Sequence, residues 1–267
     1  MTEEPQRLDV ELTRRGLARS RTHAQELIDA GRVRVNDRPI MKASVRVSET
    51  DAVTVEGVDH YVSRAARKLV AALDAFDIDV TGRRALDVGA STGGFTQVLL
   101  ERGAAEVVAL DVGRAQLSPA IRSDERVVVI EGVNAKGLTP ENLDALVGRP
   151  FVPQIVVADV SFISLTHILP ALALTAPDAD FVLLIKPQFE VGRVGVREGI
   201  VTNPALREDA ITGVLWAAFD VGLATVGLIP SPILGGQGNH EYLVWLSAHA
   251  GQNPAEWGDT IHLIAGA

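Results

Sequence analysis

Residues 84–96, Arg84-Ala85-Leu86-Asp87-Val88-Gly89-Ala90-Ser91-Thr92-Gly93-Gly94-Phe95-Thr96, decide the fold. Ala85, Leu86 and Val88 make a short buried strand. The glycine-rich turn then gives way to a helix that runs from Phe95 to Arg102 and stops at Gly103. The turn is not G-x-G-x-x-G, because Ser91 stands where the second glycine belongs, and the chain has no G-x-x-x-x-G-K-[ST] phosphate loop. Strands are predicted downstream over residues 106–111, 126–131, 154–159 and 180–186. Thr139-Pro140-Glu141 caps the helix after the third strand, and one helix runs through His167 and Leu174. A long helix over 204–222 and strands over 223–229 and 242–247 complete the pattern. Strands alternating with helices predict an α/β domain, a doubly wound, mainly parallel sheet of seven strands.

In such sheets ligands sit beyond the carboxyl ends of the strands. Asp87, Gly89, Asp111, Asp159 and Lys186 all fall at or just past predicted strand ends, so they should converge on one crevice. Gly89, Gly93 and Gly94 allow a close backbone approach where a Cβ would collide with the ligand. This D-x-G-x-x-x-G-G turn, with an acid ending the next strand, resembles motif one of S-adenosylmethionine-dependent methyltransferases. The resemblance implies S-adenosylmethionine as cofactor, with Ser91, Thr92 and Phe95 completing the binding turn. Asp111 would accept hydrogen bonds from two ribose hydroxyls. Asp87 would face the methionine end, and Asn134 would contact adenine.

The methyl acceptor needs a separate argument. Enzymes that methylate exocyclic amines often carry [DN]-P-P-[FYW] after strand four, where this chain reads Asp159-Val160-Ser161-Phe162. Carbon methylation of cytosine needs a cysteine nucleophile, and the sequence has none. Oxygen acceptors are thereby favoured. A ribose 2′-hydroxyl is a weak acid that must be oriented and deprotonated, and a lysine shielded by apolar neighbours can serve as base. Lys186 closes the apolar run Phe181-Val182-Leu183-Leu184-Ile185, where a lysine seldom lacks a reason. The segments Arg67-Lys68-Leu69, Ala158-Asp159, Ile185-Lys186-Pro187 and His240-Glu241-Tyr242 resemble, in order, the Lys-Asp-Lys-Glu set of FtsJ-type ribose 2′-O-methyltransferases. That resemblance implies Lys186 as base, with Lys68 and Asp159 orienting the acceptor and tuning it. Glu241 would position Lys186 or the ribose, and His240 reads as a rim contact.

Charge separates the start of the chain from the rest. Residues 7–47 hold ten Lys or Arg against five Asp or Glu, a balance of +5 within a protein of net charge -9. Such asymmetry predicts two modules, one of which meets a polyanion. Leu8, Leu12 and Leu17 are spaced as a helix face. Ser20 N-caps a second helix with Ala24, Leu27 and Ile28 inward, and Gly31 ends it. Residues 32–36 alternate as an edge strand, Asn36-Asp37 make a turn, and short strands over 45–47 and 52–55 complete a small hairpin sheet. This order resembles the S-four-type RNA-binding domain over residues 6–56. In that family a basic helix face meets folded RNA through its backbone. The matching positions are Arg7, Arg14, Arg15, Arg19, Arg21, Arg32 and Arg34. About a third of these are expected merely to pair with Asp9, Glu11, Glu26 and Asp29.

Across almost all residues the chain resembles the TlyA, or hemolysin A, family, through SRAARKL, LDVGASTGGFT, ADVSFISL, IKPQFEVG and GNHEYLVWL. The resemblance implies cytidine 2′-O-methylation of ribosomal RNA within ribosomal subunits, with the N-terminal extension favouring both 16S and 23S substrates. The expected organisation is an RNA-binding domain over 1–58, a linker over 59–63 and a methyltransferase domain over 64–267, acting as a cytoplasmic monomer with no metal. Rival readings are methylation of a base or small molecule, a non-catalytic RNA-binding protein, and a pore-forming hemolysin. Residues 211–236 hold a single charge, Asp220, but Gly222, Gly227, Pro230 and Pro232 interrupt them, so no membrane span is expected. The polar start lacks a secretory signal.

Overall fold

A computed structural model describes residues 5–18, 20–48, 50–55, 60–192 and 198–266. Its contacts divide the chain into two compact units, residues 1–60 and 61–267.

The first unit contains β1 (Gln6–Arg7), α1 (Leu8–Arg14), α2 (Arg21–Asp29), β2 (Val33–Val35), β3 (Arg38–Pro39), β4 (Arg46–Val47) and β5 (Val53–Val55). The Ser20 side chain accepts from the His23 amide and caps α2, and Gly31 follows the helix at φ +68°. Asn36 and Asp37 both take positive φ, which gives the tight β2–β3 turn its twist. Leu8, Leu12, Ala24, Leu27, Ile28 and Val33 form the core. Two details depart from the expected layout. Leu17 lies beyond the end of α1. The strands also form two sheets rather than one, because β4 pairs with β1, a strand the apolar pattern did not reveal, while β2 pairs with β3 and β5.

The second unit is a seven-stranded mixed sheet, as the alternation predicts. In chain order it comprises α3 (Ala66–Phe76), β6 (Arg84–Val88), α4 (Gly94–Glu101), β7 (Glu106–Asp111), α5 (Pro119–Arg122), β8 (Val127–Glu131) and α6 (Pro140–Val147). There follow β9 (Ile155–Ala158), α7 (Leu169–Thr175), β10 (Asp180–Ile185), α8 (Pro187–Glu190), α9 (Pro204–Asp220), β11 (Ala224–Pro230), β12 (Tyr242–Ser247) and α10 (Gly258–Gly266). The strand order is β11-β12-β10-β9-β6-β7-β8, and only β12 runs against its neighbours. Leu86, Val88, Val156 and Ala158 face one helical layer, and Ala85, Val107, Ile155 and Val157 face the other. Both faces are therefore covered, which is why these strands read as nearly continuous apolar runs. Thr139 caps α6 in a reciprocal box with Asn142. Among the described residues no helix is long and apolar enough to cross a membrane.

Topology fixes where chemistry can gather. The strand order reverses between β6 and β9, and the loops leaving their carboxyl ends open a crevice there. Antiparallel β12 begins at Tyr242, opposite Ile185 at the end of β10. Lys186 and Glu241 therefore leave the sheet at that same edge.

Candidate active site

Gly89 shows how the crevice is built. It sits at φ +82°, and a Cβ there would come within 2.9 Å of the Asp159 carbonyl oxygen. The exit loops of β6 and β9 can thus touch backbone to backbone, and the Asp159 amide donates to the Val88 carbonyl (3.1 Å). The other two glycines have similar causes. A Cβ on Gly93 would meet Leu117, and one on Gly94 would meet Ser63, each at 2.9 Å. Packing within the protein thus bears on all three glycines, most directly at Gly89, where the neighbour is backbone.

Two cavities open at this edge. The larger, ≈ 550 Å³, is lined by Gly89, Ser91, Asp111 and Asn134, with an apolar wall from Val112, Val133, Val160, Ile163 and Ile168. The smaller, ≈ 180 Å³, is lined by Ser63, Thr92, Gly94, Phe95 and Lys186, and it shares Gly89, Ser91, Asp159 and Ser161 with its neighbour. The Asp111 carboxylate accepts from the Ser91 amide (2.8 Å) and the Gly113 amide (2.6 Å), so it is held rigid at the wall with lone pairs to spare. Asn134 is exposed and uses its side-chain oxygen on the Lys136 amide.

Asp87 and Gly93 line neither cavity. Asp87 alternates with Leu86 and Val88, so it turns under α4, fully enclosed. One of its oxygens accepts from the Thr96 hydroxyl (2.6 Å), and the other is buried without a partner. Burial, opposed by the Thr96 hydrogen bond and reinforced by the negative charge of Asp159, pushes its pKa up to about 7.

The four charged residues expected to act together meet in space. Asp159 stands between both lysines, with Lys186 Nζ at 2.6 Å and Lys68 Nζ at 3.6 Å. Lys68 also donates to Glu241 (2.7 Å). Glu241 therefore pairs with Lys68, whereas the sequence suggested Lys186 or the substrate. Lys68 lies on the inward stripe of α3 with Leu69 and Ala72, which is why a residue resembling a surface lysine is 6% exposed. Lys186 is 7% exposed and donates to the Ser161 hydroxyl (2.9 Å). Lys186 and Asp159 border the smaller cavity, while Lys68 and Glu241 lie behind them. Gln188 leans on Glu241 at 3.5 Å, and a Cβ on Gly235 would run into that same carboxylate.

Some participants escaped the sequence reading. Ser161 and Phe162 lie in the ADVSFISL segment, but neither was singled out as a site residue. Phe162 is 93% exposed at φ +65°, with its ring 5.3 Å from Phe189, and Lys186 Nζ lies 5.9 Å from the Phe189 ring centre. A bulky residue at positive φ is strained, and such strain gathers at functional sites. That backbone angle was the missing signal, and it has no spacing in the sequence.

In the first unit, ion pairing is more extensive than expected. Arg7 and Arg21 both reach Asp9 at 2.9 Å, and Arg14 (2.8 Å) and Arg15 (2.6 Å) both reach Glu11. Arg15 also donates to the Ser48 and Asp51 carbonyls, which ties α1 to the β4–β5 loop. Arg34 donates to the Asp37 carbonyl, while Arg19 lies outside the described residues.

Comparison with known proteins agrees with this architecture. Residues 61–248 match the model of the FtsJ-like methyltransferase family, and residues 6–53 match the S4 domain. The 16S/23S rRNA (cytidine-2′-O)-methyltransferase TlyA of Mycobacterium tuberculosis is 54% identical, over 90% of this chain and 89% of that protein. Hemolysin A of Brachyspira hyodysenteriae is 42% identical, over 89% of this chain and 98% of its own length. A solved structure from Streptococcus thermophilus, also named for hemolysin, superposes with a TM-score of 0.75 at 36% identity, covering 98% of this chain and 95% of its own. The chain thus belongs to the TlyA family, in which an S4 domain is joined to an FtsJ-like methyltransferase.

Proposed function

We propose that the protein transfers a methyl group from S-adenosylmethionine to the ribose 2′-hydroxyl of cytidine in 16S and 23S ribosomal RNA, with ribosomal subunits as substrate. The observation that carries this reading is the shared carboxylate, Asp159, held between Lys186 (2.6 Å) and Lys68 (3.6 Å) at the border of the smaller cavity. The larger cavity suits the donor. Its volume of ≈ 550 Å³ is in the range of small-molecule sites, its apolar wall can receive an adenine ring, and Asp111 can accept from ribose hydroxyls. Asn134 stands at the adenine end. Ser91, Thr92, Gly94 and Phe95 carry the binding turn toward the smaller cavity.

When bound, the donor supplies an electrophilic methyl on a sulfonium, so transfer is a single displacement. Lys186 is the base for the 2′-hydroxyl proton and orients the hydroxyl oxygen in line with the methyl. Asp159 fixes Lys186 Nζ and neutralises it once protonated. Lys68, locked by Glu241, keeps Asp159 from swinging away. Ser161 holds the remaining side of Lys186. Asp87, enclosed behind the turn, holds the Thr96 hydroxyl and acts on the methionine end only indirectly. Phe162 offers an exposed ring at the mouth on which a nucleobase can stack. The outer arginines of the first unit contact the RNA backbone.

The test is a reaction of the protein with isolated bacterial ribosomal subunits and methyl-labelled S-adenosylmethionine, followed by nucleoside digestion. The label is expected in 2′-O-methylcytidine. Label in a base-methylated nucleoside would overturn the oxygen assignment, and no label with intact donor binding would favour a non-catalytic RNA binder.

A further inference from the structure

Arg207 poses a problem that the methyl-transfer chemistry leaves unsolved. It sits in the opening turn of α9 and is only 6% exposed. Its Nε is fully enclosed with no acceptor, and among the described residues no carboxylate pairs with it. A guanidinium in this state is costly, because its enclosed Nε has lost water without gaining an acceptor and the group has no counter-charge. The groups beside it do not help. Its charge acts on the Tyr242 hydroxyl and on the ring of His240, and the Tyr242 hydroxyl is itself buried without a hydrogen-bond partner. Arg207 thus has a phenol and an imidazole beside it but no counter-charge.

Its place in the fold gives the arrangement a direction. A helix following a parallel strand begins near that strand's carboxyl end, so the start of α9 lies at the crevice edge of the sheet. Tyr242 lies opposite Ile185, the residue before Lys186. The start of the 17-residue α9, where the Asn203 side chain caps only the Ala205 amide, adds the favourable field of a helix N-terminus for negative charge. A planar fork of N–H donors and a helix start together match a phosphate.

We propose that Arg207, with the first turn of α9, forms an anion subsite that holds a phosphodiester of the RNA substrate beside the acceptor nucleotide. The subsite rests on the proposed RNA-directed function and adds a positioning contact to it. The methionine carboxylate of the donor is the other anion of the reaction, so donor affinity must be read separately.

The experiment uses the full chain and two variants, Arg207→Met and Arg207→Lys. Thermal midpoint, S-adenosylmethionine affinity by calorimetry, and binding to bacterial ribosomal RNA across a potassium chloride series are measured. For Arg207→Met the expected result is unchanged donor affinity, an RNA affinity about tenfold weaker, and a salt slope shallower by about 0.7, the loss of one phosphate contact. The thermal midpoint is expected to hold or rise, because removing an uncompensated buried charge relieves the free protein. Arg207→Lys should regain the slope. An unchanged slope in Arg207→Met, whatever its midpoint, overturns the proposal, and so does a loss of donor affinity. Wild-type protein that binds RNA without salt dependence would instead count against the RNA-directed function itself.

Discussion

Both units hang two cations on one carboxylate, and they use the arrangement in opposite ways. In the first unit Glu11 holds Arg14 and Arg15 while Asp9 holds Arg7 and Arg21. The acids are enclosed, but the arginine side chains remain 21–64% exposed. Each cluster keeps one net positive charge turned to solvent, so its acid works as a foundation that stiffens a cationic face. At the crevice, Asp159 holds Lys68 and Lys186, whose side chains are only 7% and 9% exposed, and Glu241 adds a second acid. Two cations against two acids leave this set neutral and largely shielded from water. Exposed pairs of the first kind contribute little individually and serve to display charge. In the enclosed kind each charge depends on the others, so removing one member is expensive.

The comparison predicts very different responses to mutation. The largest is at the crevice, where Lys186→Ala should reduce methyl transfer by about 10³-fold or more, while S-adenosylmethionine affinity by calorimetry stays within twofold. Near-normal turnover would remove Lys186 as base. Lys68→Ala leaves Glu241 buried and unpaired, and should cost about 3–5 kcal/mol in denaturant unfolding. A loss under 1 kcal/mol would show that the crevice pair behaves like the surface ones.

Asp87 gives the crevice a pH signature. Its folded pKa, about 7, exceeds the unfolded value. The unfolded chain therefore releases this proton first as pH rises. Stability from the neutral carboxyl is full below about pH 4 and is lost as pH climbs through about 7. Asp87→Asn should therefore melt several degrees above the wild type at pH 8 and show little advantage at pH 4.5. A constant difference across that range would contradict the assigned protonation.

The first unit should respond more mildly. Arg14→Gln combined with Arg21→Gln is expected to weaken ribosomal RNA binding about tenfold and flatten its salt slope by about 1.4, with donor affinity unaffected. An unchanged slope would show that this face does not carry the RNA. Glu11→Gln is the smallest perturbation, costing about 1 kcal/mol in hydrogen-exchange protection of α1 and α2 at pH 7. The hydrogen bond from Arg14, aided by Arg15, holds the Glu11 carboxyl down at about 2. Its contribution is thus complete above about pH 4.5 and disappears as pH falls through about 2, the reverse of Asp87. A Glu11→Gln penalty that persists at pH 2 would break the contrast.

Most of the fold was legible because its signals are local. Val107 and Val108 face opposite layers and are both buried, which makes β7 an apolar run that any window detects. Ser20, Gly31, Thr139 and Gly103 mark helix ends through their own backbone preferences. β1 was not legible, because Gln6–Arg7 is a strand only through its pairing with β4, about 40 residues away. Nor could spacing reveal that Arg15 anchors the Ser48 and Asp51 carbonyls rather than only facing outward.

The sequence by itself determined the doubly wound sheet and the basic N-terminal module, since periodicity and capping are properties of short stretches, and its resemblance to FtsJ-type enzymes singled out the four charged residues. Tertiary structure alone decided their partners. It gave Glu241 to Lys68, enclosed Asp87 under Thr96, set Gly89 against the Asp159 backbone and left Arg207 without a counter-charge. The physical reason is that charge neutralisation and burial depend on distances between residues up to 173 positions apart, and no local pattern encodes those distances.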